Sequence, residues 1–117
     1  MCGTVCTDGF SLSGFAGQNL NGYFTRDDSR QANGRETYWK GTDRFVYWCS
    51  RDAKWVVTSG GYGDPSQVSA TACAGWASTG AAGNPADLVA ATTWSYYDGS
   101  EWSQVSGIAV TCSAPPT

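Results

Sequence analysis

The chain predicts an all-β fold: a small antiparallel sandwich or barrel of about seven short strands, braced by disulfides and carrying one long Gly/Ala/Ser-rich loop. Three observations predict it. Runs rich in aromatic and β-branched residues recur between turn signals, no segment carries a convincing 3.6-residue apolar period, and five cysteines fall within 117 residues.

The runs are, in order, Leu20 to Arg26, Arg35 to Lys40, Arg44 to Ser50, Lys54 to Ser59, Thr92 to Tyr97, Glu101 to Val105 and Gly107 to Cys112. In the third, Phe45, Tyr47 and Cys49 share one face while Val46 and Trp48 take the other, because side chains alternate along a strand. Both faces are apolar, which predicts a central strand. In the last run Ile108, Val110 and Cys112 alternate with Ala109 and Thr111, the half-buried pattern of a strand nearer an edge. Asn33-Gly34 and Asp98-Gly99 supply residues that tolerate the positive φ of tight turns. The first four runs therefore read as an antiparallel meander, and Tyr97 to Trp102 as a hairpin. Pro85 to Leu88 can make a single helical turn, since Pro suits a first helical position.

Between Gly60 and Ala91 lies a stretch rich in Gly, Ala, Ser and Thr that carries Tyr62, Cys73 and Trp76. Connections of this length are uncommon in compact domains unless they are functional or hold short elements of their own. The embedded Trp and Cys weigh against a merely mobile excursion. Cys73 is expected to pin the stretch to the sheet, with Cys49 the preferred partner. Two bridges with one cysteine left over can be drawn among Cys2, Cys6, Cys49, Cys73 and Cys112 in fifteen ways, so spacing alone fixes no connectivity.

Residues 1–112 are read as one disulfide-braced domain, and 113–117, Ser-Ala-Pro-Pro-Thr, as a polyproline-type tail or the start of a linker. Six Trp and six Tyr against a charged fraction of only 15% describe a chain that folds by packing aromatics. A net charge of −3 argues against nucleic acid, whose phosphates require clustered Lys and Arg. No apolar run approaches the roughly 18 to 20 residues that span a bilayer as a helix, and the first fifteen residues lack the pattern of a secretion signal. The cysteines form no zinc-finger spacing and suit an oxidising compartment, so a secreted, extracellular or cell-surface setting is expected, with any signal removed or outside this sequence.

The residue inventory disfavours catalysis. With no histidine, the commonest general base, the usual Ser or Cys triads and most catalytic zinc sites are missing. Paired carboxylates are the only serious enzymatic route, as in a glycosidase, and the available ones, Asp98 with Glu101 and Asp27 with Asp28, stand where solvated turn acids are common. No phosphate-binding, dinucleotide or EF-hand motif occurs. A non-enzyme with no metal and no cofactor is expected.

Charge is unevenly spread. All seven Lys and Arg lie in the first 54 positions, and the remainder holds only Asp64, Asp87, Asp98 and Glu101 among many Ser, Thr, Ala and Gly. A soluble surface normally mixes charges, so a nearly uncharged half suggests one covered by something else. Packing against copies of the same chain, as in a filament, fibril or matrix, is the preferred reading. O-linked glycans on Ser or Thr, with Ser113 and Thr117 as candidates, are a second covering; no Asn-x-Ser/Thr acceptor occurs. The plainer alternative is that small polar residues simply suit β-rich loops.

The other functional reading is a carbohydrate-binding, lectin-like module. Trp and Tyr stack an apolar face on sugar rings while a polar edge reaches hydroxyls. Tyr62, Trp76, Tyr97 and Trp102, in or beside turns, are the candidates, whereas Trp39, Trp48, Trp55 and Trp94 lie within strand runs and are expected in the core.

From Leu20-Asn-Gly-x-Phe, through Asn33-Gly34-Arg35-x-x-Tyr38, Tyr47-Trp48 and Lys54-Trp55-Val56-Val57, to Asn84-Pro-Ala-Asp-Leu88, Trp94, Asp98-Gly99 and Trp102, the chain resembles a small Trp/Tyr-rich repeat domain. That domain is widespread in predicted proteins of algae, other aquatic protists and some marine invertebrates. The likeness covers about residues 19–112, departing from the family in its extra cysteines and its long Ser/Ala/Gly loop. It implies a β module of multidomain and secreted proteins, with no defined activity and no catalytic residues to carry over.

Overall fold

The computed structural model describes residues 6, 8–17, 20–32, 34–41, 43–49, 54–59, 75–79, 94–97 and 99–112. The expected Cys49 partner Cys73, the helical turn at 85–88, most of the 60–91 stretch and the 113–117 tail lie outside them.

Among the described residues nine strands follow one another: β1 (Gly9–Ser13), β2 (Gly22–Ala32), β3 (Arg35–Lys40), β4 (Arg44–Cys49), β5 (Lys54–Ser59), β6 (Ala77–Thr79), β7 (Trp94–Tyr97), β8 (Trp102–Val105) and β9 (Ala109–Cys112). All pair antiparallel in one sheet of order β8-β7-β6-β5-β4-β3-β2-β1-β9. The expected antiparallel all-β fold is therefore present, as a single curled sheet with two strands more than the sequence predicts. The additions are β1 and β6, and β2 runs on to Ala32 rather than ending at Arg26.

The connectivity forces the curl. In a flat sheet β8 and β9 would stand roughly 38 Å apart at ~4.8 Å per strand step. Residues 106–108 alone join them, and four extended Cα steps reach at most ~14 Å. The sheet closes toward a half-barrel, and its concave side gathers Phe10, Leu12, Phe24, Tyr38, Val46, Trp48, Trp55, Val57, Trp94, Tyr96, Ile108 and Val110. Phe15, just past β1, meets Trp94 edge-on at 5.6 Å, so the start of the sheet packs on its far end.

Strand β4 carries the predicted two-faced burial. Val46 and Trp48 join the concave core, while Phe45, Tyr47 and Cys49 join Trp39 and Val56 in a second buried cluster on the convex side. The four tryptophans expected in the core, Trp39, Trp48, Trp55 and Trp94, are all buried. Gly34 (φ +79°) and Gly99 (φ +106°) take the left-handed conformation expected of the two turns. A Cys6–Cys112 disulfide ties the segment before β1 to the end of β9. Cys49 is also disulfide-bonded.

At one end of the concave side sits a polar network. Glu36, 4% exposed, accepts a hydrogen bond from the Tyr38 hydroxyl (2.7 Å) and lies 3.3 Å from the Arg35 guanidinium and 3.7 Å from that of Arg26. Arg26 also donates to the Cys6 carbonyl (2.9 Å) and to Asp28 (2.8 Å). Burial, then the Glu36 hydrogen bond and charge, push the Tyr38 phenol well above its ordinary range. Desolvation works against the Arg26 charge, but the Asp28 hydrogen bond and the Glu36 charge outweigh it and raise its pKa.

Strand β2 departs from regular pairing between Asp27 and Gln31. There Asp27 accepts from the Ser29 amide (2.9 Å) and hydroxyl (2.6 Å) and from Arg30 (2.6 Å), a side-chain turn that bends the strand. The bend sets the Arg30 guanidinium 3.6 Å above the Trp39 ring.

Candidate functional site

Three of the four aromatic candidates come together. Strand β6 pairs with β7 so that Ala77 faces Tyr96, and β7 pairs with β8 so that Tyr97 faces Trp102. One residue before Ala77, Trp76 continues the ladder: its amide donates to the Val57 carbonyl and its carbonyl accepts from the Tyr97 amide, both at 2.7 Å. Trp76, Tyr97 and Trp102 thus lie side by side across three chain segments, as cross-strand neighbours do. Ring centroids are 5.9 Å apart for Trp76–Tyr97 and 5.5 Å for Tyr97–Trp102. Because Tyr96 points into the concave core, alternation turns Tyr97 outward. Trp102 is 50% exposed, and Trp76 and Tyr97 are half-buried.

Gly75 explains how Trp76 comes so close. A Cβ on residue 75 would stand 2.4 Å from both Val56 Cγ1 and the Val57 carbonyl oxygen, so only glycine lets the chain descend onto β5 and form the Trp76–Val57 hydrogen bond. The rings are tilted by 34° and 40° from one to the next, so they make an uneven ribbon of aromatic surface rather than a plane.

Beside Trp102 the sheet carries a groove of about 200 Å³ lined by Lys54, Ser78, Ser95 and Trp102. Ser78 and Ser95 are directly opposed across β6 and β7 and floor it, while Lys54 comes from β5. At the other end of the row, the Arg44 guanidinium lies 5.7 Å from the Trp76 ring. None of Arg44, Lys54, Ser78 or Ser95 stands out in the sequence, because their convergence depends on pairing between distant strands. Indole and phenol faces offer stacking surface, the serine hydroxyls donate and accept, and the two cations donate.

The remaining candidates fall elsewhere. Tyr62, Cys2, Cys73, Ser113, Thr117 and Asp98 lie outside the described residues. Glu101 is exposed just before β8. Asp27 is held by Ser29 and Arg30, and Asp28 by Arg26, so both of those carboxylates are taken up within the β2 bend. Of the candidate disulfide residues, Cys6 and Cys112 are joined to each other. Comparison of the chain with protein-family models, with curated proteins and with solved structures gives no match.

Proposed function

We propose that this domain is a non-catalytic carbohydrate-binding module that holds a single glycan chain along Trp76, Tyr97 and Trp102. The observation that carries the reading is the row itself: three aromatic rings 5.5 and 5.9 Å apart, ending in a Trp that is half exposed and walls a groove floored by two serines. Sugar rings present alternating apolar faces and hydroxyl edges, which aromatic faces and Ser hydroxyls complement. The groove is smaller than the ~300 to 1,000 Å³ of sites for drug-sized ligands, a size suited to one sugar ring at the end of a longer contact. An uneven row favours a flexible or helical chain over a flat crystalline surface. Titration calorimetry with soluble oligosaccharides tests this: Trp102→Ala should weaken binding about tenfold or more while the melting temperature stays put. Binding unchanged in that variant would refute the platform.

Self-assembly, the reading that the uncharged half of the sequence prefers, has one structural observation in its favour. Among the described residues, β8 and β9 end the sheet, and neither contains a charge or a proline, the usual guards against edge-to-edge pairing. Sedimentation of concentrated protein should then show polymers that Ser103→Lys, on edge strand β8, disperses; a monomer at all concentrations would remove this reading.

A further inference from the structure

We propose that the glycan taken by this site is acidic, bearing uronate carboxylates or sulfate esters; the inference rests on the carbohydrate reading and specifies its ligand. The platform itself is uncharged: Trp76, Tyr97 and Trp102 with Ser78 and Ser95. Two cations border it from the β4 and β5 side. Arg44 lies 5.7 Å from the Trp76 ring, and Lys54 lines the groove against Trp102. The two cations come from β4 and β5, and the rings from β7, β8 and the residue before β6. The fold thus brings Arg44 and Lys54, from the part of the chain that holds all seven Lys and Arg, beside an aromatic row and groove built largely from its second half.

A chain laid along the row would meet the guanidinium beside Trp76, and a sugar residue seated in the groove would meet the Lys54 ammonium. Arg matches carboxylate and sulfate oxygens with paired N–H donors, and Lys serves as a mobile point charge. The inference does not require either cation to be unpaired in the free protein, since exposed ion pairs are worth little and exchange readily. Nor does the net charge of −3 oppose it, because charges beyond the ~8 Å Debye length at physiological salt are largely screened. Two acids adjoin the row in sequence, Asp98 next to Tyr97 and Glu101 next to Trp102, and Glu101 is exposed just before β8.

The test is calorimetric titration of the wild-type chain with matched pairs: oligosaccharides of polygalacturonate and of its neutral methyl ester, and of dextran sulfate and dextran. The polyuronate pair reads carboxylate, and the dextran pair reads sulfate. At least one acidic member should bind about tenfold more tightly than its neutral partner, and that advantage should shrink with added NaCl. Lys54→Gln and Arg44→Gln should each cost about two- to fivefold in affinity for that acidic ligand and lessen its salt dependence, with Arg44→Lys retaining part of the binding. Should either variant melt early, the salt dependence of the wild type and the other variant still decide. Equal binding of acidic and neutral chains, both lost in Trp102→Ala, would overturn the acidic preference and leave the carbohydrate reading standing. No binding by any of the four would overturn both.

Discussion

Two sets of tryptophans in this chain are used in opposite ways. In β3 to β5, Trp39 and Trp55 are buried and their rings face arginines: the Arg30 guanidinium lies 3.6 Å over Trp39, and that of Arg35 stands 5.9 Å from Trp55. Both of those arginines are also ion-paired, Arg30 with Asp27 and Arg35 with Glu36. Around β6 to β8, Trp94 is buried, but Trp76 and Trp102 keep part of their surface in solvent, and the Arg44 guanidinium lies 5.7 Å from the Trp76 ring. The same side-chain chemistry makes a core in one region and an available surface in the other. What separates them is how far the fold covers the rings.

The sharpest way to break this contrast is a pair of substitutions. Trp55→Ala removes a ring that is 1% exposed and packs on Tyr38 and Trp48, so it should cost about 3 to 5 kcal/mol in urea unfolding. Trp102→Ala should cost about 0.5 kcal/mol or less in the same assay, because the ring is half in solvent. Comparable losses at the two sites would erase the distinction.

Next in size is Glu36→Gln. Arg26 and Arg35 both lean on this buried carboxylate, and the amide keeps the volume while removing the charge. The expected loss is about 2 kcal/mol by denaturant midpoint, with glycan affinity unaltered because the network lies away from the aromatic row. A variant as stable as the wild type would mean that the network is dispensable to the fold.

The smallest effect is acidic and local. The Ser29 hydroxyl hydrogen bond first, then those from Arg30 and the Ser29 amide, outweigh burial and hold Asp27 at about 2 against an ordinary 3.8. A depressed folded pKa adds stability that is complete above the unfolded value and lost as pH falls toward 2. Asp27→Asn should therefore be less stable than the wild type by about 1 kcal/mol at pH 5 and 6, with the gap closing as pH approaches 2. A gap that is constant with pH would assign the effect to the shape of the bend and not to its charge.

Much of the framework is legible in the residues. The alternation in Arg44 to Cys49, apolar on both faces, marks the central strand, and the Asn-Gly and Asp-Gly pairs mark two of the turns. The missed strands fail for physical reasons. Gly-Phe-Ser-Leu-Ser alternates for only five residues and includes poor strand formers, while Ala-Ser-Thr is extended because β5 and β7 pair with it from either side, a tertiary cause that no local propensity carries. Polar Asp27 to Ala32 continues β2 without an apolar face to signal it. Of the site, the Tyr97–Trp102 hairpin pair follows from its turn. The addition of Trp76, Lys54, Ser78, Ser95 and Arg44 requires the register of strands far apart in sequence.

The most direct test of the division between core and surface tryptophans is an amide correlation spectrum of nitrogen-15-labelled protein, which carries one indole signal for each of the six Trp residues. Titrated with a binding oligosaccharide, the Trp76 and Trp102 indole signals should shift together while those of Trp39, Trp48, Trp55 and Trp94 hold still. Shifts confined to the four buried indoles would contradict the account.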